Sequence, residues 1–254
     1  MKLAALVLLA RLATAAAPDT HELLRRTAAA MEGFWERLSA VDCVETVEQV
    51  KFAPGGKVGY RQVSSFDYLV LLQLAGNDIV VDESRTAIAE PKASQNVPLL
   101  VTNGFSTLSF IFHPVFQGAF EYSAPEEDQL DGAPALRVAF RHIAGARSPS
   151  VLKLRQRDYP VEWRGTAWID PRTGSILRIQ AGLLAPLDDI GLKALNADVR
   201  YGPVEFRGAS RPDLLPKTAT VEVETARQHW KNVHTFQNYK TFSVDVKSDV
   251  GGPK

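Results

Sequence analysis

Apolar and polar residues alternate singly along most of this chain, the period of a strand that covers one face and wets the other. Only near the N-terminus does the spacing widen to three and four. There Leu23, Leu24, Ala28, Met31, Trp35 and Leu38 fall on one side of a helix, and Glu22, Arg25, Arg26, Glu32, Glu36 and Arg37 on the other. Asp19 and Thr20 are placed to cap it. The pattern then predicts a strand over residues 41–52, a turn at Ala53-Pro-Gly-Gly56 and a return over 57–66. A further strand over 68–75, a turn at Gly76-Asn77-Asp78 and a strand over 79–85 make this a meander of three hairpins. Residues 86–98 read as loop.

Residues 99–120 form the densest apolar stretch, holding Phe105, Leu108, Phe110, Ile111, Phe112, Val115, Phe116 and Phe120. Asn103 is placed to cap a short helix carrying Phe105, Leu108 and Phe112 on one side, and His113-Pro114 would stop it. The segment reads either as a helix plugged into the concave side of a sheet or as a lid over an apolar cavity. Beyond it, Glu126-Glu-Asp128 with Asp131-Gly132 reads as an acidic turn. Leu136, Val138 and Phe140 alternate with Arg137, Ala139 and Arg141, a strand with one dry face. A weaker strand signal covers 151–158, and further strands cover 197–201, 204–208, 217–225, 230–236 and 239–246, with a loop over 181–194 and a connection over 212–216.

The most legible stretch is 161–180, two alternating runs meeting at Asp170-Pro-Arg-Thr-Gly174. Asp170 is suited to bond amides ahead of it, Pro171 presets φ, and Gly174 tolerates the left-handed conformation a hairpin needs. Pairing Asp170 with Ser175 would set Trp168 opposite Leu177 and Thr166 opposite Ile179 on one face. Ile169 would oppose Ile176 and Ala167 would oppose Arg178 on the other. Both faces are partly apolar, which suits a sheet covered on one side and lining a cavity on the other. Taken together, the chain is expected to be mainly β (α+β), an antiparallel sandwich or barrel rather than βαβ units.

Composition fits a globular domain with a substantial core: 254 residues, 45% hydrophobic and 23% charged. Residues 1–17 read as a secretory signal peptide, with Lys2 as basic start, an apolar run from Leu3 to Ala10 and small residues at Ala15 to Ala17. Basic and acidic residues number 29 each, and setting aside Lys2 and Arg11 leaves the rest slightly acidic. That balance gives no basic excess for a nucleic-acid partner. No later apolar stretch approaches the length of a membrane span. Cys43 is the single cysteine, so no internal disulfide is available, and its place in a strand reads as a buried thiol.

Chemistry is sparse. There is no Gly-x-Ser-x-Gly, no phosphate-cradling loop, no His-Glu-x-x-His and no paired-cysteine metal site. His229 and His234 are five apart on a strand and so point to opposite faces, which argues against a metal site. Asp188-Asp189 has no partner carboxylate in view. Trp163 and Trp168 also fall on opposite faces, so they do not form an aromatic row for sugar. Neither an enzyme nor a cofactor is expected.

The order of parts is a leader, one amphipathic helix, a meander of long strands and an apolar insert. Gly165-x-Ala-Trp-Ile-Asp-Pro-x-Thr-Gly174 and Ile176-Leu-Arg-Ile179 follow, and then Phe236-Gln-Asn-Tyr-Lys-Thr-Phe242. This order resembles the periplasmic lipoprotein-carrier superfamily of the LolA/LolB/RseB type, over most of residues 20–247. The resemblance implies an incomplete antiparallel β-barrel of about eleven strands, with an N-terminal amphipathic helix and a short inserted helix. It would be one half-barrel domain over 18–250, behind the signal peptide and ahead of a frayed tail at 251–254. It implies an exported, periplasmic or secreted carrier or sensor that holds an acyl chain or lipoprotein in an apolar cavity. Phe105, Leu108, Phe112, Trp168, Leu177 and Ile179 are the candidate lining. The alternative is an envelope protein-interaction or stress-sensing module with no lipid ligand, and a hydrolase with an unmarked site comes last.

Overall fold

A computed structural model describes residues 19–75, 78–89, 104–154 and 156–242; the leader, the Gly76-Asn77 turn, Asn103 and the tail lie outside the described residues. Helix α1 (Thr20–Leu38) forms where the three-four spacing predicts it, with Leu23, Thr27, Ala28, Met31, Trp35 and Leu38 buried. Asp19 occupies the N-cap but makes no side-chain cap hydrogen bond. Strands β1 (Val41–Phe52), β2 (Val58–Ala75) and β3 (Asp78–Ala89) follow as the meander. It has two hairpins rather than three, because Val58–Ala75 is one long strand. Asp67 sits exposed between buried Phe66 and Tyr68, so the polar residue that looked like a break keeps the alternation.

The insert comes next: a 3₁₀ helix at Phe105–Phe112, then α2 (Pro114–Gln117). After it run β4 (Phe120–Tyr122), β5 (Glu126–Leu130) and β6 (Ala133–His142). Glu126 to Asp128 is thus a strand and not a turn. It pairs with β6, where the Arg137 guanidinium donates to the Glu126 carboxylate, and the turn itself falls at Asp131 and Gly132, both at positive φ. Residues 151–158 hold two strands, β7 (Val151–Leu154) and β8 (Arg157–Pro160), paired with each other in a separate small sheet. The remaining strands are β9 (Trp163–Ile169), β10 (Ile176–Leu183), β11 (Leu192–Val204), β12 (Asp213–Thr225) and β13 (His229–Thr241). Residues expected as loop or connection at 86–89, 181–183, 192–194 and 213–216 are strand, since their backbone pairs with neighbouring strands, while 90–98 lie outside the described residues.

Eleven strands form one antiparallel sheet in the order β3-β2-β1-β13-β12-β11-β10-β9-β6-β4, with β5 also beside β6. The order has two ends, so the sheet is an open half-barrel. One face carries α1 and the insert. Its core gathers Leu23, Met31 and Trp35 from α1 with Val138, Ile169, Ile179, Val199, Ala219 and Phe236 from the strands. Burying such side chains stabilises the fold by about 1.5–3 kcal/mol each.

The β9–β10 hairpin closes as its turn chemistry dictates. Asp170 N donates to Ser175 O at 2.8 Å, and the Asp170 carboxylate accepts from the amides of Arg172 and Thr173 at 2.7 and 3.1 Å. Ile169 faces Ile176 as expected. One residue further the register shifts at a bulge around Leu177, so Trp168 opposes Arg178, Ala167 opposes Ile179 and Thr166 opposes Gln180. The bulge returns Ile179 to the covered face beside Ala167 and leaves Trp168 on the other, stacked at 5.0 Å under the Arg178 guanidinium. The turn also docks on α1. Arg26 Nη1 donates to Pro171 O at 2.9 Å, and a β-carbon on Gly174 would stand 2.9 Å from the Arg26 carbonyl carbon.

Candidate functional site

The insert is the part of the helix-side face that belongs to neither layer. Seven of the eight residues of Phe105–Phe112 are buried, and the run is long for a 3₁₀ helix, whose hydrogen bonds are poorer than an α-helix's. Its composition explains why it stays inside: Phe110 stacks on Trp35 with ring centroids 4.2 Å apart, and Phe112 meets Phe140 edge-on at 5.9 Å. At its far end Gln117 Nε2 donates to both Leu24 O of α1 and Phe112 O, at 3.0 and 2.9 Å.

Its near end is held by charge. Gly104 N and Ser106 Oγ both donate to Glu83 Oε1, at 2.8 and 2.7 Å. Arg85 reaches Glu83 at 3.1 Å and makes a two-pronged contact with Glu45 at 2.5 and 3.0 Å. His234 Nδ1 lies 2.8 Å from the Glu45 carboxylate, which as an acceptor fixes Nδ1 as the donor. The four side chains come from β1, β3 and β13, and alternation in each strand turns them to the helix side, where they are almost wholly buried. Burial disfavours the charge on Glu45, but the bonds from His234 and Arg85 outweigh it and hold its carboxyl below the ordinary value. Phe105 lies over this network, 5.4 Å from the rings of both His234 and Phe236.

Among the described residues, several buried polar atoms of these strands have no hydrogen-bond partner: both side-chain atoms of Gln49, His234 Nε2 and the Tyr68 hydroxyl. Buried polar groups are normally paired, so these mark the helix-side interior as polar at this end and apolar under the insert. Cys43 is buried nearby, and desolvation pushes its thiol up to about 12, which keeps it unreactive.

Of the six residues read from the sequence as cavity lining, Phe105, Leu108, Phe112 and Ile179 share the helix-side face and are buried in its core. Trp168 does not join them. It lies on the opposite face, where its indole donates to Asp128 at 3.0 Å, and Leu177 sits half-buried at the bulge. Glu45, Glu83, Arg85 and His234 were missed, since four ionisable residues scattered over 190 positions converge only once the strand register is known.

No protein-family model matches the chain, and no curated protein matches it. Among solved structures it is similar to a LolA superfamily protein from Nitrosomonas europaea, at 11% identity and a TM-score of 0.39, over 90% of this chain and 96% of that one. A DUF1329 family protein from Desulfovibrio piger gives 12% identity and 0.45, over 92% and 95%. The MucA/MucB complex structure from Pseudomonas aeruginosa gives 12% and 0.23, over 85% and 99%. At such levels of identity and superposition, the residues of this chain have to carry any functional reading. Among the described residues no helix is long and apolar enough to cross a membrane.

Proposed function

We propose that this protein is an exported carrier or sensor for an acyl chain or lipoprotein, with the insert Phe105–Phe112 as a plug that the ligand displaces. The observation that carries this is the insert's attachment. An almost fully buried apolar segment is held by a few side-chain hydrogen bonds, from Gly104 and Ser106 to Glu83, between Thr107 and Ser150 and from the Tyr122 hydroxyl to Ile111 O, and it pairs with no strand. An acyl chain that took the place of Phe105, Leu108 and Phe112 against Ile179 would gain about 0.8 kcal/mol per buried CH₂. The unpaired atoms of Gln49, Tyr68 and His234 would face its polar end. Under this reading the protein works in the bacterial envelope, performs no chemical step and uses no cofactor.

The test is titration with a fluorescent fatty acid, alongside native mass spectrometry of the purified protein. Glu83→Gln should loosen the closed state and tighten apparent binding, by about ten-fold for each 1.4 kcal/mol of closure it removes. No saturable uptake by either protein, with no co-purified lipid, would sink the carrier reading. A protein-partner reading has one observation in its favour. Val63, Leu71, Val80 and Ile88, all exposed, lie on the β2–β3 hairpin at one end of the sheet. Cross-linking in cell envelopes that captured one stoichiometric protein through this hairpin, without lipid, would favour it.

A further inference from the structure

The face turned away from α1 carries a polar groove of about 830 Å³, and the strand registers show how it is built. One cross-strand row runs Arg141, Arg164, Gly182, Asn196, Glu222, Lys231 over six strands, from β6 to β13. Gly182 leaves a gap in its middle: a β-carbon there would stand 2.7 Å from the Asn196 amide oxygen. The row alongside it, Thr166, Gln180, Asp198 and Thr220, forms the other wall.

Arg141 and Arg164 stand directly opposite each other, and like charges so placed destabilise a sheet. Elsewhere on this face the chain avoids that cost. Arg137 pairs with Glu126, Arg178 with Asp198 at 2.5 Å, and Arg200 with Asp131 at 3.1 Å, although Arg178 and Arg200 are also direct neighbours. Among the described residues neither Arg141 nor Arg164 makes an ion pair, although Glu121 of β4 stands opposite Arg141 on its other side. The acidic groups in the groove are engaged elsewhere: Asp198 by Arg178 and Gln180, and Glu222 by His229 at 2.5 Å. Two guanidiniums held by no ion pair, beside the amides of Gln180 and Asn196, can serve as a receptor for an oxyanion. A phosphate group has enough acceptor oxygens to take both forks at once, where a carboxylate is filled by one.

We propose that this groove binds a phosphate monoester, with Arg141 and Arg164 as its paired counter-charge and the Asn196 and Gln180 amides hydrogen-bonding the rest of the ligand. The site is independent of the acyl-chain reading, because it lies on the opposite face of the sheet. The shared chemistry has two sources, a soluble ester or a lipid headgroup, and two arms separate them. Isothermal titration of the full chain uses inorganic phosphate and glycerol 3-phosphate. Co-sedimentation uses phosphatidylcholine vesicles with and without phosphatidic acid.

Saturable binding in either arm is expected and assigns the source. Arg141→Ala and Arg164→Ala should each weaken it about ten- to a hundred-fold, with the double variant silent. Arg207→Ala, on a distant exposed position, should leave it intact. The double alanine variant should melt close to the parent, because it removes the repulsion between the two arginines together with the attraction of Glu121 to Arg141. Arg141→Lys with Arg164→Lys keeps the charge and loses the forks, so it should bind more weakly than the parent even if the alanine variants fold poorly. No binding in either arm, binding undiminished in the double variants, or acetate bound as tightly as phosphate would each overturn the proposal.

Discussion

Glu45 makes the fold acid-sensitive, and the sign follows from its partners. Its carboxyl is held below the ordinary 4.5 in the folded chain, so the stability it contributes is complete above that value and is lost as pH falls through the folded one. Melting temperature should therefore drop steeply below about pH 4.5. Glu45→Gln should flatten that limb while costing about 3–5 kcal/mol at neutral pH, because it leaves Arg85 and His234 facing a neutral amide. A melting profile across pH in the two proteins checks both halves. Gly174 sets the second residue-scale expectation. It combines φ of +74° with a 2.9 Å approach to the α1 backbone, so Gly174→Ala must strain the turn and push the helix away. Chemical denaturation should show a loss of more than about 1 kcal/mol. That glycine was legible as a turn residue from Asp170-Pro171 before it; its second duty, as the seat of α1, was not, because no local pattern reports which element lies above a turn.

At the scale of elements, the insert is where local reading was most uncertain and where the fold invests most aromatic surface. Phe105, Leu108 and Phe112 were read as one side of a helix, but Phe110 and Ile111 are equally buried. A segment dry on every side has no periodicity to betray its conformation. Phe110→Ala should remove the stack on Trp35 and cost about 3–5 kcal/mol. A red shift in tryptophan emission with a lower denaturation midpoint would register it; an unchanged spectrum would mean the ring stack is not formed. The hairpin β9–β10 teaches a complementary lesson. Its turn and the first pair, Ile169 with Ile176, follow from composition alone, yet one bulged residue at Leu177 moved Ile179 off the face it was expected to share with Trp168 and brought Arg178 there instead. Turn residues announce themselves, whereas a bulge answers to what both faces need, here Ile179 inward and Arg178 over Trp168.

For the whole molecule, strand content, the leading helix and an antiparallel sandwich or barrel were legible because period-two alternation and turn residues are local signals, whereas the open half-barrel was an expectation from the resemblance in the order of parts. Which strands neighbour each other was not, and both polar sites depend on that. The Glu45 network needs β1 beside β13, and the Arg141–Arg164 pair needs β6 beside β9. The first of those pairings constrains how the chain comes together in time. Val41 pairs with Thr241 and Phe52 with His229, so the meander can join the rest of the sheet only through the last strand described. Closing so long a loop is entropically slow, and folding should fall in the range of milliseconds to seconds, set by this one late seam. Destabilising substitutions along it, such as Val47→Ala, would slow refolding in stopped-flow traces if the seam forms in the transition state, and would speed only unfolding if it closes afterwards. Until it closes, β1 presents a bare edge beside the apolar residues of the meander, and the molecule's greatest exposure to misassembly lies in that interval rather than in its finished form.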